Sequence, residues 1–229
     1  MKIIVTGGRG YIGSKVTNKL NCDSFDLTDG NDLRIESDCE ILSNYDCVIH
    51  LGAIADVNEC ENEQIKAQDT NVLGTQNVLK YAKKIIFSSS ASVYGDNSNK
   101  VNVNSLVDPI SYYGRTKLQA EILINQSNID STIFRIFNVH GYDSNSVMDI
   151  FKREKQLKVY GDTQRDFISL DQVVDRITKE TQIIKGKNIY NLGSGIPTSI
   201  KTLAKSTGKA IQFLPPKKND IIFSCSGLL

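Results

Sequence analysis

Lys2-Ile3-Ile4-Val5-Thr6-Gly7-Gly8-Arg9-Gly10-Tyr11-Ile12-Gly13 is the stretch that decides the fold. A short β-branched run stops at a glycine cluster, and a helical segment follows through Leu20, so the order is strand, glycine turn, helix. Gly7, Gly10 and Gly13 stand three residues apart. After a first strand, that spacing supplies a tight turn, bare backbone where a pyrophosphate can approach, and close packing of helix on strand. The helix N-terminus then faces the anion. The expectation is an α/β protein with a doubly wound, Rossmann-like parallel sheet.

Working outward, a second strand is expected near 24–27, and Asp26 lies thirteen residues beyond Gly13. An acid at that strand end accepts hydrogen bonds from an adenosine ribose and repels a 2′-phosphate, which favours NAD over NADP. Arg9 is a nearby cation that pulls the other way. Residues 47–51, Cys-Val-Ile-His-Leu, read as a buried parallel strand ending in Gly52-Ala53, small residues that allow close backbone approach. Ile65, Val72 and Leu79 recur every seven residues along a helix expected over 62–82, which carries Asn71. A strand over 84–87 runs into Ser88-Ser89-Ser90-Ala91-Ser92-Val93-Tyr94-Gly95, with hydroxyls crowding the end where doubly wound sheets bind ligands.

Beyond a strand at 131–137 the alternation loosens into a helix over 147–156, a strand over 157–160, a helix over 171–184, a strand over 188–192 and a helix over 198–206. A nucleotide-binding domain is therefore expected over 1–141, with a strand and helix near 157–184 returning to it, followed by a small, shortened lobe over 142–229.

Composition narrows the function classes. A net charge of +1, from 27 basic and 26 acidic residues, gives no bulk electrostatic case for a nucleic-acid or membrane partner. No stretch approaches the roughly 18 apolar residues of a membrane span, and the chain reads as cytoplasmic. Its five cysteines show no Cys-x-x-Cys spacing, and with only two histidines no metal site is expected.

The candidate chemistry lies in Ser111-Tyr112-Tyr113-Gly114-Arg115-Thr116-Lys117. If Leu118, Ile122 and Leu123 mark a helix, Tyr113 and Lys117 share one face. A phenol with an ordinary pKa of about 10 is a poor acid or base at neutral pH. An ammonium one turn away favours the phenolate and brings it nearer working range, and with the positive charge of a bound nicotinamide added the Tyr113 pKa is expected to fall well below that value.

With Asp32-Leu33-Arg34, His50-Leu51-Gly52-Ala53, Asn71-Val72-Leu73-Gly74-Thr75, Arg165-Asp166-Phe167-Ile168 and Tyr190-Asn191-Leu192-Gly193-Ser194-Gly195 added, the chain resembles the extended short-chain dehydrogenase/reductase family, in its NAD-dependent nucleotide-sugar epimerase/dehydratase branch. The resemblance implies that Tyr113 removes a sugar hydroxyl proton, that Lys117 holds the nicotinamide ribose and that Ser90 hydrogen-bonds the reacting oxygen. It places Gly7, Gly10, Tyr11, Ile12 and Gly13 at the NAD pyrophosphate turn, Asp26 at the adenosine ribose, Asp32 and Leu33 at the adenine, and Gly52, Ala53 and Asn71 along the rest of the cofactor. Asn138 and Arg165 would meet the diphosphate of a nucleotide-sugar substrate, with Lys217 as a further phosphate contact. A homodimer through the Tyr112 and Asn71 helices is implied too.

Dehydratases of this branch carry an Asp-Glu pair after the active-site hydroxyl, where this chain has Ala91-Ser92. Without those carboxylates an elimination lacks its acid and base, so 4-epimerisation leads. A nucleotide-sugar reductase or dehydratase is the alternative within the branch, and a catalytically weak cofactor-binding sensor the alternative outside it. His140-Gly141-Tyr142 also departs from the branch's usual Tyr-Gly-Pro, which bears on the substrate loop.

Overall fold

β1 (Ile3–Thr6) is the strand about which the chain reverses in the computed structural model, which describes residues 1–142, 146–216 and 221–227. The glycine turn leads into α1 (Tyr11–Leu20), β2 (Asp23–Phe25), α2 (Glu36–Cys39), β3 (Cys47–His50), α3 (Val57–Asn62), α4 (Gln64–Gln68), α5 (Gly74–Tyr81), β4 (Lys84–Ser90), α6 (Tyr112–Gln126) and β5 (Asp130–Ile136). With β9 (Lys187–Leu192) these strands form a six-stranded sheet in the order β2-β1-β3-β4-β5-β9, every neighbouring pair parallel. The order reverses between β1 and β3. The crevice outside their carboxyl ends is where such sheets hold ligands.

Successive side chains leave a strand on opposite faces, so each strand feeds two cores. Ile4, Val48 and Ile85 pack with Val78 of α5 and with Ala120 and Ile124 of α6 on one face. Val5, Ile49 and Ile86 pack with Val16 of α1 and with Val173 and Ile177 of α8 (Leu170–Ile183) on the other. Burial on both faces is why these strands are unbroken apolar runs. Gly13 makes the first turn possible. A Cβ there would stand 2.0 Å from the Gly7 carbonyl oxygen, so only glycine lets α1 close onto the turn.

The helix expected over 62–82 is interrupted. A wide π-turn at Asp69–Leu73 separates α4 from α5, and the rotation it introduces breaks the seven-residue apolar face. Ile65 is left 80% exposed, while Ala67, Asn71, Thr75 and Val78 face inward.

The second half adds β6 (Asn138–His140), α7 (Val147–Arg153), β7 (Gln156–Tyr160), β8 (Gln164–Ser169), β10 (Pro197–Ser199), α9 (Ile200–Ser206), β11 (Ala210–Leu214) and β12 (Phe223–Ser224). Of the stretch over 157–184, the helix α8 returns to the main sheet but the strand does not. β7 pairs with β11, and its Leu157 and Val159 bury against Phe151, Ile200 and Ala204 in a separate small core. The strand that joins the main sheet is β9.

β8, which no local pattern announces, is the spine of a second sheet and pairs with β6, β10 and β12. It opens on polar Gln164, Arg165 and Asp166, yet Asp166 is fully buried. Its carboxylate accepts hydrogen bonds from the backbone amides of Ser194, Gly195 and Ser226 and from the Ser194 and Ser226 hydroxyls. Among the described residues no helix is long and apolar enough to cross a membrane, and no group of His, Cys, Asp or Glu side chains could hold a metal ion.

Candidate active site

Gly7 has φ +67, and a Cβ on it would fall 2.7 Å from the Gly52 Cα, so the first turn and the end of β3 touch backbone to backbone. These bare surfaces floor a cavity of about 270 Å³ at the switch point of the sheet. Gly7, Gly10, Asp26, Asp32, Leu33, Gly52 and Ala53 all line it, so the seven come together as one surface. Ile12 and Gly13 pack behind it in the α1 interface. Tyr11 stands at the start of α1 and donates its hydroxyl to the Gly141 carbonyl at 2.7 Å, joining the cofactor turn to the loop after β6. A glycine floor that any Cβ would obstruct, beneath a helix N-terminus and beside two carboxylates, fits a dinucleotide. Asn31, Lys66 and Thr70 also line this cavity. No periodicity or motif in the sequence marks them.

The Asp26 carboxylate accepts from the Arg9 and Thr28 amides and from the Thr28 hydroxyl. The Arg9 guanidinium turns instead to Asp29, with its Nε 3.0 and 3.2 Å from the two carboxylate oxygens and its Nη2 at 2.9 Å. That contact holds Asp29 below the usual carboxylate range. Asp32 is paired with Arg34, whose hydrogen bonds hold it low in the same way.

Asn71 is buried between the loop after β3 and α6. Its amide is fully engaged, accepting from the Ile54 amide at 2.8 Å and donating to the Ile54 carbonyl and the Thr116 hydroxyl at 3.0 Å each. It brackets the loop beyond Gly52 to α6. Behind it the Thr75 hydroxyl donates to the Asn71 carbonyl at 2.7 Å, so the Thr75 oxygen must accept from His50 Nε2 at 3.0 Å. His50 Nδ1 is then an acceptor for the Thr6 hydroxyl at 2.7 Å, and the Thr6 oxygen accepts the Gly52 amide. His50 is therefore neutral with its proton on Nε2. Burial, aided by the charge of Lys117, pushes its pKa down to about 3.

α6 starts where Ser111 caps it, its hydroxyl accepting the Gly114 amide, while Glu61 of α3 accepts the Tyr112 amide at 2.7 Å. Gly114 allows close docking, since a Cβ there would meet the Ser92 carbonyl at 2.6 Å. Docking at that distance brings Tyr113 against the turn after β4, within hydrogen-bonding influence of Ser90. Lys117 is buried, donates to the Ser88 carbonyl at 2.9 Å, and lies 6.0 Å from the Tyr113 ring centroid.

The expected lowering of the Tyr113 pKa is not what the chain's own groups produce. Burial pushes the phenol up to about 12 against a smaller downward pull from the Ser90 hydrogen bond. The Lys117 ammonium is spent on the Ser88 carbonyl. Burial also brings Lys117 itself down to about 8. Tyr113 in the chain alone is thus a protonated phenol at neutral pH.

Asn138 and Arg165 lie on the adjacent strands β6 and β8 of the second sheet, away from the 270 Å³ cavity. Asn138 donates to the Asp166 carbonyl, and an Arg165 nitrogen reaches the Gln164 carbonyl. Lys217 lies outside the described residues. A second cavity of about 490 Å³, between α7 and β7, is lined by Phe151, Glu154, Lys158 and Tyr160.

Comparison with known proteins adds to this geometry. The model of the NAD dependent epimerase/dehydratase family matches residues 3–193. A provisionally named UDP-glucose 4-epimerase of Methanocaldococcus jannaschii is 31% identical, over 88% of this chain and 79% of its own. A dTDP-D-glucose 4,6-dehydratase of Dictyostelium discoideum is 27% identical, over 89% of this chain and 61% of its own. Among solved structures, a UDP-glucose 4-epimerase of Thermotoga maritima with UDP-glucose superposes with a TM-score of 0.85 at 27% identity, covering 99% of this chain and 90% of that one.

Proposed function

Because the chain belongs to the NAD-dependent epimerase/dehydratase family, whose model matches residues 3–193, we propose that this enzyme is a nucleotide-sugar 4-epimerase. NAD supplies the hydride acceptor when bound. Tyr113 takes the proton from the sugar hydroxyl and gives it back, Ser90 holds the reacting oxygen, and Lys117 holds the nicotinamide ribose. Gly7, Gly10 and Gly52 give the pyrophosphate bare backbone, Asp26 faces the adenosine ribose, and Asp32 and Leu33 face the adenine. Asn138, Arg165 and Lys217 serve the substrate diphosphate, for which an arginine fork is well shaped.

The observation that carries epimerisation over dehydration is the turn after Ser90. Ala91 is buried there and Ser92 bonds back to Ser90, so neither position offers a carboxylate beside Tyr113. Glu121, the nearest acid to influence Lys117, is occupied by Ser89 and Arg135. An elimination needs an acid and a base at adjacent carbons, whereas returning a hydride to the opposite face needs only the one proton carrier. UDP sugars are the substrate class favoured by the relatives' names. The helices α4 and α6 leave Ile65 and Ile122 exposed, which supports a homodimer through the helices on either side of the Asn71 turn.

The test is incubation with UDP-glucose followed by NMR. The C4 epimer should accumulate to equilibrium with no net change in NADH, and Tyr113→Phe should lower turnover by about 10²–10⁴-fold while keeping bound NAD. Steady NADPH consumption with a keto-sugar would make the enzyme a reductase instead.

A further inference from the structure

We propose that Asp29 sets the cofactor preference of this enzyme by withholding Arg9 from the ribose pocket. The inference rests on the reading that Asp26 faces the adenosine ribose. Arg9 is the one residue of the glycine turn with a cationic side chain, and its backbone amide already donates to the Asp26 carboxylate at 3.1 Å. Its guanidinium therefore begins at the rim of that pocket, and Asp26 is among the charges that act on it. A guanidinium there is a ready partner for a 2′-phosphate, with a planar fork suited to phosphate oxygens. Asp26 opposes such a phosphate by charge, yet a free Arg9 would offset that repulsion.

Asp29 removes the offset. It takes Nε and Nη2 together, the same face of the fork that a phosphate would use. Asp29 is fixed in place by the 3₁₀ turn Leu27–Asp29, which Asp26 caps through the Thr28 amide and which Gly30 closes at φ +83. One short turn thus presents Asp26 to the ribose and Asp29 to the arginine. Asp29 itself lines neither described cavity, so it acts through Arg9 as a positioning residue. An exposed ion pair of this kind contributes little to stability, which separates its effect on cofactor choice from an effect on folding.

The test is equilibrium binding of NAD and NADP, by quenching of tyrosine fluorescence and by calorimetry, to wild type, Asp29→Ala, Arg9→Ala and the double variant. NADP affinity should rise at least about tenfold in Asp29→Ala, with NAD affinity within about threefold of wild type. The gain should disappear in the double variant, and it should shrink as salt is raised. Asp29→Asn, which keeps the turn's side-chain volume, should show the same direction. An unchanged NADP-to-NAD ratio in both Asp29 variants, or a gain that persists without Arg9, overturns the proposal. Failure of wild type to bind NAD would instead overturn the cofactor-site reading beneath it.

Discussion

At the scale of single residues, the buried His50 and the half-buried Tyr113 are both pushed away from their ordinary ranges and give opposite tests. His50 is locked neutral between Thr6 and Thr75 with a folded pKa of about 3, against about 6.5 when unfolded. Between those values the unfolded chain binds the extra proton, so this contribution is complete above about pH 6.5 and lost as pH falls toward 3. Urea unfolding between about pH 4 and 7 should show wild-type stability falling by up to about 1.4 kcal/mol per pH unit, a slope that His50→Gln should flatten. An unchanged slope would mean the ring is not held neutral. Tyr113 gives the second test. With its phenol pushed up to about 12, the cofactor-free wild type and Tyr113→Phe should give superimposable ultraviolet tyrosinate titrations below about pH 10, and Lys117→Met should leave them so. A lower Tyr113 pKa appearing only after NAD is added would assign the tuning to the cofactor's charge.

At the scale of elements, α6 is held to the sheet by charge as well as by Ala120 and Ile124. Glu121, one turn beyond Lys117, pairs with Arg135 of β5 at 2.7 Å with both side chains almost fully buried. Arg135 also reaches the Tyr94 hydroxyl, which donates to Asn191 of β9. Glu121→Ala leaves a guanidinium buried without its counter-charge and should cost about 3–5 kcal/mol in chemical denaturation. Glu121→Gln, which keeps an acceptor, should cost clearly less, and equal losses would show that packing rather than charge anchors the helix. The helix α6 was legible in the sequence, because Leu118, Ile122 and Leu123 recur at helical spacing beside Tyr113 and Lys117. The break at Asp69–Leu73 was not, since the heptad of Ile65, Val72 and Leu79 describes a straight helix and nothing in it encodes a π-turn.

At the scale of the whole molecule, Asp166 joins β8 to two distant segments, the Ser194-Gly195 turn and Ser226 beyond the end of β12. Its carboxylate faces only donors, so Asp166→Asn brings a donating amide into a ring of donors and should cost about 1–3 kcal/mol. Amide exchange should accelerate at Ser194, Gly195 and Ser226 while β1, β3 and β4 keep their protection. Uniform acceleration everywhere would mean that the second sheet and the main sheet open as one cooperative unit.

The sequence by itself determined the doubly wound half, because each of its signals is local: an apolar run for a doubly buried strand, a glycine where backbones touch, an apolar period for a helix. It likewise set Gly7, Gly10 and Asp26 around one crevice, since βαβ units bring strand carboxyl ends together, and the resemblance added Asp32 to them. Only the tertiary structure decided what depends on partners far apart in the chain. β8 became a strand because β6, β10 and β12 supply its hydrogen bonds and because the Asp166 carboxylate found its donors at Ser194, Gly195 and Ser226. Asn71 spends its amide on Ile54 and Thr116, and in the chain alone burial pushes the Tyr113 phenol up, for one reason. Spacing specifies which side chains share a face, but desolvation and competing hydrogen bonds are set by the surrounding protein.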